Sequence, residues 1–327
     1  MRTMSSPLAT HSIAALLSQE LSDGERDRIF HNLVSQPITS ALLVDGVQAL
    51  QEKMLPVELS SDAIDTCGTG GSGLKTINTS SLTAFIVAAA GGKVAKHGNR
   101  SASGNCGCFD LLEELGVRIE LNPDLERRIF DRLGITFLFA RLHHPALRFV
   151  ATLRKTYGKK TLFNLLGPLC NPAGVTKQMI GTGSEADAAL IAETLQKLGS
   201  VGSMVVTGND GLDEVTITTT TTVRHIFEKQ IQTDTFLPQS LCVSLALPSE
   251  ILGGTAQENA ALFLELLEGK GTEAMRNLVL LNAAQALLLT PLTKNISEAF
   301  SIAKDTVDSK VAYQLFQSYR DLSHQLS

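Results

Sequence analysis

The sequence lacks a long hydrophobic run, which limits how the protein can relate to membranes. Its longest apolar stretch, around Leu82 to Ala90, is well short of the about 20 residues that a membrane-spanning helix needs. The first residues contain one early arginine and a short apolar patch at Ile13–Leu17, without a signal-peptide core or cleavage site. We therefore expect no membrane insertion, no secretion and a cytoplasmic location.

The sequence also lacks an excess of basic residues and the cysteine pattern of a zinc site. Its 28 Lys and Arg residues against 33 Asp and Glu residues give a net charge of −5, which argues against a nucleic-acid-binding protein but leaves room for a local phosphate pocket. The five cysteines are an odd number, and Cys106 and Cys108 have no matching second pair. We expect reduced thiols, as in a cytoplasmic protein.

The remaining composition is that of an ordinary globular protein. Hydrophobic residues make up 43% of the chain and charged residues 19%, which argues against disorder. The 327 residues can form one large or two modest domains with a sizeable core. Up to about residue 60, apolar residues recur at helical spacing, and Ser22–Glu25 has the Ser-x-x-Glu pattern of a capping box. This part carries no chemical motif, which favours a structural or dimerising helical bundle.

From residue 61 onward, short β-type runs alternate with helical stretches and glycine turns. The strands predicted from these runs are Ile64–Cys67, Lys93–Lys96, Val117–Leu121, Ile135–Phe139, Met179–Thr182 and Met204–Thr207. The helices predicted between and after them are Ser80–Ala90, Cys108–Leu115, Pro123–Leu133, Ala186–Leu198, Ala261–Leu267, Leu278–Leu289 and Ile296–Leu322. Such alternation predicts an α/β fold with a mostly parallel central sheet, and Val223–Phe236 suggests an antiparallel excursion.

A glycine-rich loop, Asp65–Gly73, follows the first predicted strand and leads into a helix. It places four glycines in six residues, which permits positive φ and close backbone approach. Backbone N–H groups of such a loop, together with a helix N-terminus, bind anions. A helix cap with a flexible turn explains the loop equally well when it is considered alone. It matches neither the dinucleotide fingerprint nor the Walker A pattern.

A basic loop, Lys96–Gly104, follows the next predicted strand. It holds two cations, an amide and two hydroxyl groups at the strand end where open α/β sheets bind ligands. Lysine and arginine hold phosphate groups there. The alternative, a solvated basic turn, is less favoured because a glycine loop follows a neighbouring strand.

Two further segments add a metal candidate and a cation. Adjacent Asp213 and Glu214 in a glycine-rich turn suit Mg²⁺, although such a pair alone is usually a solvated turn, and Asp210 ranks lower. Arg154 could clamp a carboxylate, but without context a surface arginine is the better interpretation. Together the segments suit a Mg²⁺-bound polyphosphate substrate. No Ser-His-Asp or Cys-His arrangement is apparent.

These segments together resemble the anthranilate phosphoribosyltransferase family, over about residues 10–320. The motifs that carry the resemblance are Asp65–Gly71, Asn78–Ser81, Lys96–Arg100, Phe163–Leu169 with Asn171–Pro172, Gly211–Glu214, Gly253–Gly254, Glu258–Asn259 and Leu281–Ala284. The resemblance implies a small helical domain at residues 1–60, joined by part of 142–172, packed on an α/β domain at 61–327. It also implies a homodimer formed through the helical part.

The resemblance implies a reaction as well. The amine of anthranilate displaces pyrophosphate from C1 of phosphoribosyl pyrophosphate, in the second step of tryptophan biosynthesis, with no covalent enzyme intermediate. Positioning and charge stabilisation are then expected to carry most of the catalysis. Small-molecule substrates are implied, with neither nucleic acid nor membrane as a partner.

The resemblance assigns the site residue by residue. The residues implied to bind phosphoribosyl pyrophosphate are Gly68, Gly71, Ser72, Thr76, Asn78, Thr79, Ser80, Ser81, Lys96, His97, Gly98, Asn99, Arg100, Ser101, Ala102, Ser103, Gly104 and Cys108. Those implied to bind anthranilate are Gly68, Asn99 and Arg154, with Arg154 on its carboxylate. Ser80, Asp213 and Glu214 are implied to hold two Mg²⁺ ions. His97 and His144 either line the aromatic channel or have a structural role.

Several positions depart from the family pattern. Ser72 stands where Asp is usual, Cys108 where Ser or Ala is usual, and Arg141 where Pro or Gln is usual, and the segment from Gln36 to Leu55 is short. A paralogue acting on another aromatic amine therefore stays open. A nucleoside phosphorylase-like relative is disfavoured by Asp213–Glu214, and a non-catalytic nucleic-acid-binding relative by the net charge of −5.

Overall fold

The N-terminal helices begin at side chains that cap them. The computed structural model describes residues 13–70, 75–101 and 106–325. Helix α1 (Asp23–Val34) begins after Ser22, whose hydroxyl accepts a hydrogen bond from the Glu25 N–H while the Glu25 carboxylate accepts one from the Ser22 N–H. Helix α2 (Ser40–Gln51) begins after Thr39, which caps the Leu42 N–H. The capping box expected from the sequence is confirmed.

A seven-stranded sheet lies at the centre, in the order β3-β2-β1-β4-β5-β6-β7. Its strands are β1 (Ile64–Gly68), β2 (Val94–Gly98), β3 (Ile135–Phe139), β4 (Lys177–Gly181), β5 (Ser203–Gly208), β6 (Thr221–Phe227) and β7 (Gln230–Phe236). The first five strands are parallel, whereas β6 and β7 add to the edge in antiparallel pairing. The mostly parallel sheet and the antiparallel excursion are confirmed.

Helices cover both faces of this sheet. They are α3 (Thr79–Ala89), α4 (Cys108–Glu114), α5 (Pro123–Leu133), α6 (Ala140–His143), α7 (Arg148–Tyr157), α8 (Leu162–Leu169), α9 (Glu185–Leu198), α10 (Ala256–Leu267), α11 (Glu273–Leu287), α12 (Ile296–Asp308) and α13 (Val311–Gln325). In the described part of the chain, no helix combines the length and the apolarity needed to cross a membrane.

Two elements differ from the sequence expectation. Residues 117–121 alternate between buried and exposed, as the predicted strand requires, but they join no strand. Their backbone groups are satisfied elsewhere, since the Val117 N–H donates to the Leu112 carbonyl and the Arg118 N–H to the Ser323 hydroxyl. The single helix expected over Ile296–Leu322 is two helices, because Lys310 adopts a left-handed φ of 64° between α12 and α13.

The N-terminal helices pack on the sheet through α8 and α9. Gly46 in α2 allows this contact, because a Cβ there would lie 2.8 Å from the Leu166 side chain. At the other end of the contact, the Ser40 hydroxyl donates to Glu193 in α9 over 2.9 Å. These helices share one apolar cluster with strand residues such as Ile180 and Val205. The N-terminal helices are therefore anchored to the sheet.

A cluster of aromatic rings holds α3 against the sheet and the C-terminal helices. The ring of Phe85 is fully buried, and its centroid lies 5.3–5.8 Å from those of Phe137, Phe263, Phe316 and Tyr319. These four rings come from β3, α10 and α13, so that Phe85 joins one side of the sheet to the C-terminal helices. Edge-to-face pairs of this kind add to the energy of burial.

We expect Phe85→Ala to destabilise the fold by about 3–5 kcal/mol, because it removes this shared contact and leaves a cavity. Urea denaturation followed by circular dichroism measures the change. The control is Phe227→Ala, whose ring is 59% exposed and whose loss should cost less than about 0.5 kcal/mol. Equal denaturation midpoints for the two variants would show that the aromatic cluster does not hold α3.

Candidate active site

A cavity of about 540 Å³ opens at the carboxyl edge of the parallel strands. Strand β1 is flanked by β2 on one side and by β4 on the other, so the cavity lies at the point where the strand order reverses, the usual ligand position in open α/β sheets. Its floor is formed by the ends of β1, β2 and β4 and the start of α3. Side chains of α2, α7 and α8 form a wall, including Leu50, Arg154 and Phe163.

Most of the residues singled out in the sequence meet in this cavity. Those that line it are Gly68, Thr76, Asn78, Ser80, Lys96, His97, Gly98, Asn99, Arg100, Ser101, Cys108, His144, Arg154, Asp213 and Glu214. Thr79 and Ser81 do not line it, because both are fully buried within α3. Gly71, Ser72, Ala102, Ser103 and Gly104 lie outside the described residues.

Two strand ends carry glycine because the acidic turn packs directly on them. A Cβ at Gly68 would lie 2.9 Å from Asp213 Oδ2, and one at Gly181 only 1.7 Å from the Asp213 carbonyl oxygen. In addition, the Gly70 N–H donates to Asp213 Oδ2 over 3.1 Å. The glycine loop and the acidic turn are therefore parts of one structure, although 143 residues separate Gly70 from Asp213.

Asn282 in α11 holds the chain immediately after the acidic pair. Its Oδ1 accepts from the Val215 N–H, and its Nδ2 donates to the carbonyls of Val215 and Leu278, all over 2.9 Å. In the sequence, Asn282 belongs to the Leu281–Ala284 motif, which indicated no role for it. The available signal was one of two amide side chains, Asn282 and Gln285, within the apolar helix predicted over Leu278–Leu289.

Glu214 is a half-buried acid with one fully enclosed carboxylate oxygen, Oε2. Its Oε2 has no hydrogen-bond partner in the described part of the chain, and burial together with the charge of Asp213 raises the pKa of Glu214 well above its ordinary value. Oxygen ligands of this kind suit Mg²⁺, which binds through few carboxylates and completes its shell with water and phosphate oxygens. Among the described residues, no group of three His, Cys, Asp or Glu side chains is arranged so that it could hold a metal ion by itself.

Lys96 supplies a buried cation at the floor of the cavity. It is 2% exposed and donates to the Thr66 carbonyl. Asp65 lies beneath it, fully buried, and accepts from the His97 N–H over 3.2 Å and from Asn171 Nδ2 over 2.8 Å. Burial raises the pKa of Asp65, and the charge of Lys96 opposes that rise. This arrangement holds the Lys96 ammonium group in place with a carboxylate behind it.

The basic loop is tied to α4 on both sides of residues 102–105. The N–H groups of Ser101 and Gly107 donate to Asp110 Oδ2 over 2.8 and 2.9 Å. The Arg100 guanidinium forms a two-point pair with Glu113, over 2.6 and 2.9 Å. Arg100 is thus directed to the acidic face of α4, while Lys96 is the buried cation at the cavity floor.

Arg154 lies on the opposite wall with its charge available. It is half-buried, its guanidinium lies 5.6 Å from the centre of the Phe163 ring, and burial lowers its pKa. No carboxylate in the described ranges forms an ion pair with it. A cation held against an aromatic face suits a planar aromatic carboxylate.

His97 and His144 form a neutral patch between these charged groups. Their ring centres are 5.1 Å apart. His97 Nδ1 lies 3.1 Å from the Gly167 carbonyl and His144 Nε2 lies 2.9 Å from the Cys170 carbonyl, so each of these nitrogens carries the hydrogen. The other ring nitrogens have no partner among the described residues. Burial lowers the pKa of His144 to about 4 and that of His97 well below its usual range.

Of the departures from the family pattern, Cys108 lines the cavity, whereas Ser72 lies outside the described residues. Cys108 begins α4 and accepts a hydrogen bond from the Ser81 hydroxyl at 3.4 Å. A Cβ at Gly98 would lie 3.3 Å from Cys108, so the thiol closes the space beside β2. Arg141 is exposed and does not line the cavity.

This fold and site belong to a class of glycosyl-transferring proteins. Residues 60–313 match the family described as Glycosyl transferase family, a/b domain. Anthranilate phosphoribosyltransferase from Persephonella marina is 37% identical over 310 residues, which cover 94% of this chain and 91% of that protein. The chain belongs to the anthranilate phosphoribosyltransferase family, as the sequence motifs indicated.

Solved structures of relatives have the same fold. The crystal structure of anthranilate phosphoribosyltransferase from Thermus thermophilus superposes with a TM-score of 0.89 and 34% identity, over 96% of this chain and 94% of that one. The enzyme from Saccharomyces cerevisiae, in complex with phosphoribosyl pyrophosphate and Mg, has a TM-score of 0.87 and 26% identity, over 97% and 94% of the two chains.

We expect His97 and His144 to stay neutral as the pH falls from 8 to 5. Because the unfolded chain binds protons on histidine near pH 6.5 and the folded His144 only near pH 4, the stability of the fold should decrease as the pH falls through this interval. Carbon-detected NMR of the imidazole rings measures the titration, with His144→Gln used for assignment. A His144 resonance that titrates near pH 6.5 would contradict the buried neutral ring.

Proposed function

We propose that the protein transfers the phosphoribosyl group of 5-phosphoribosyl 1-pyrophosphate to the amine of anthranilate, giving N-(5-phosphoribosyl)anthranilate and pyrophosphate in tryptophan biosynthesis. The observation that carries this proposal is the division of charge within one cavity. A buried cation and a half-buried acid pair lie beside the ends of the parallel strands, and an arginine without a carboxylate partner in the described ranges lies on the wall that α7 and α8 form. The cavity thus suits a metal-bound diphosphate at one end and an aromatic carboxylate at the other.

The phosphoribosyl pyrophosphate end is assigned to the strand ends and the start of α3. The residues proposed to bind it are Gly68, Gly71, Ser72, Thr76, Asn78, Thr79, Ser80, Ser81, Lys96, His97, Gly98, Asn99, Arg100, Ser101, Ala102, Ser103, Gly104 and Cys108. Lys96 supports this assignment through its buried charge, and the first N–H groups of α3 through their favourable electrostatics toward anions. Asn78 is held for this role by Asn259 Nδ2, which donates to its Oδ1 over 3.0 Å.

The acid pair is assigned to magnesium. Asp213, Glu214 and Ser80 would hold it, and we propose two ions. When bound, Mg²⁺ neutralises charge that develops on the departing pyrophosphate. The chain's own contribution is to fix Asp213 and Glu214 against glycine and beside Asn282 before the substrate arrives, so that little reorganisation is needed during the reaction.

The anthranilate end is assigned to Arg154, Gly68 and Asn99. Arg154 pairs with the carboxylate, and the neutral rings of His97 and His144 border the acceptor without a competing charge. The amine then attacks C1 directly. Burial raises the pKa of the Cys106 thiol to about 11 and that of Cys67 well above its ordinary value, which makes these cavity thiols poor nucleophiles and supports a transfer without a covalent intermediate.

We also propose a two-domain organisation and a dimer. Residues 1–60, joined by part of 142–172, form a helical domain, and residues 61–327 form the α/β domain, in a cytoplasmic enzyme. Residues of α1, α2, α7 and α8 pack in one apolar cluster, which supports joining part of 142–172 to the N-terminal helices, and the same cluster reaches the sheet at Ile180 and Val205. The helical domain forms the proposed homodimer contact. Sedimentation at micromolar concentration tests it, and a single-chain mass throughout would refute it.

Replacing both carboxylates by their amides, Asp213→Asn with Glu214→Gln, should lower Mg²⁺-dependent turnover by about 10²–10³-fold or more, because charge stabilisation at the leaving group is lost. Loss of anthranilate fluorescence during a Mg²⁺ titration measures it. Asp234→Asn removes an exposed carboxylate on β7 and should leave turnover unchanged. Near-normal Mg²⁺ dependence in the double variant would refute the metal assignment.

Arg154→Ala should raise the KM for anthranilate by about 10–100-fold with a smaller effect on kcat, because a charge-assisted hydrogen bond contributes about 1.5–3 kcal/mol. Steady-state kinetics with each substrate varied in turn measures the change. Lys155→Ala, at the next, exposed position of α7, is the matched control. An effect confined to the KM for phosphoribosyl pyrophosphate would refute the carboxylate role.

A further inference from the structure

A buried carboxylate–imidazole pair lies directly behind the cavity wall and has no part in the proposed reaction. His143 Nε2 in α6 is 3.0 Å from Glu126 Oε1 in α5, and each side chain is 1% exposed. His143 precedes His144, which lines the cavity. The pair therefore adjoins the acceptor wall without contacting the cavity itself.

The same histidine forms hydrogen bonds with the connection between α2 and β1. His143 Nδ1 lies 2.6 Å from the Leu55 carbonyl oxygen, and the Leu55 N–H donates to the His143 carbonyl over 2.8 Å. Because a carbonyl only accepts, Nδ1 carries a hydrogen. Residue Leu50, five positions before Leu55, lines the cavity. His143 thus ties the connection that follows Leu50 to the chain segment that carries His144, and both Leu50 and His144 line the cavity.

With Nδ1 protonated, the contact between Nε2 and Glu126 is favourable only when one proton lies between them. Burial by itself lowers the pKa of His143, but the hydrogen bond and charge of Glu126 raise it above its ordinary value. Burial likewise raises the pKa of Glu126, against the opposing contact with His143. Both directions describe a pair that keeps one shared proton, and such a pair titrates as a unit.

The buried surroundings of the Glu126–His143 pair make the removal of either side chain destabilising. Among the described residues, three other titratable groups interact with the pair. The positive charge of His143 further lowers the pKa values of His144 and His97, and the charge of Glu126 contributes to the raised pKa of Tyr319. Glu126 Oε2 has no partner in the described part of the chain. Removing either partner therefore leaves a buried polar group uncompensated.

We propose that Glu126 and His143 are positioning residues of the transferase, forming a one-proton clasp that fixes Leu55 and His144 and thereby shapes the acceptor side of the cavity. This inference rests on the proposed function. The clasp is closed at and below neutral pH. As the pH rises through the raised pKa of the pair, the proton leaves, the carboxylate faces a lone pair, and the clasp opens. The KM for anthranilate then increases, whereas the KM for phosphoribosyl pyrophosphate stays constant.

Three variants test the clasp. Glu126→Ala removes it. Glu126→Gln keeps the shape and donates an amide hydrogen to Nε2, so that its bond needs no shared proton. Asp124→Asn removes an exposed carboxylate in the first turn of the same helix and is the matched control. The measurements are the KM for each substrate between pH 6 and 9 and, without substrate, hydrogen–deuterium exchange of the peptide that contains Leu55.

We expect Glu126→Ala to raise the KM for anthranilate by about tenfold or more, as a displaced wall implies, and to speed exchange at Leu55. Glu126→Gln should match the wild type at pH 7 but lose the alkaline rise in KM. A Glu126→Gln profile identical to that of the wild type, or equal changes in both KM values, would overturn the clasp alone. Should Glu126→Ala fail to fold, the Glu126→Gln profile decides. A wild-type chain that does not turn over anthranilate would overturn the proposed function and this inference together.

Discussion

The close packing of the Asp213 backbone against a strand end without a side chain is the constraint on which the site depends. The Asp213 carbonyl occupies the space that a Cβ of Gly181 would fill, so the acidic turn can approach only where β4 ends in glycine. From that contact the rest follows. Gly70 can donate to Asp213, Asn282 can bind the backbone of Val215, and Glu214 comes to lie half-buried beside the charge of Asp213. The glycine loop and the acidic turn thus form one surface of the cavity.

The cavity separates strong charge from neutral surface. Lys96 and Asp65 are buried within β2 and β1, where charges interact strongly because little water screens them. The acid pair lies next to them, with Asp213 packed on the ends of β1 and β4. The imidazoles of His97 and His144 are kept neutral by burial, and the proton held by Glu126 and His143 behind them adds to this effect. A substrate with a polyanionic end and an aromatic end meets matching surfaces in a single orientation, which is the main requirement for a direct displacement reaction.

Much of the fold could be predicted from local pattern, because buried parallel strands followed by glycine turns leave a clear record in the sequence. The strands β1, β2, β3, β4 and β5 and the capping box at Ser22 are of this kind. Residues 117–121 were wrongly predicted as a strand, since the alternation of buried and exposed residues there is satisfied by packing against helices. The break at Lys310 depends on one left-handed residue that no apolar period reveals.

Within the site, the sequence indicated which residues gather but not what holds them. That Lys96 and Asp213 line one cavity follows from motifs at strand ends, whereas the place of Arg154 was implied only by the family resemblance. Contacts between distant elements hold these residues in place. They are the ion pair of Arg100 with Glu113, the hydrogen bonds of Asn282 to Val215, and those of His143 to Glu126 and Leu55. No spacing rule predicts such contacts, because they are decided by how the helices pack.

The most direct test of the central claim is the number of protons released when the protein binds phosphoribosyl pyrophosphate with Mg²⁺. Calorimetric titrations at pH 7, in buffers of different ionisation enthalpy, measure it for the wild type and for Glu214→Gln. Burial and the neighbouring charge of Asp213 raise the pKa of Glu214, and a bound cation lowers it again. We therefore expect the wild type to release more protons on binding than the variant. Equal proton release, together with equal affinity, would contradict an acid pair that binds the metal.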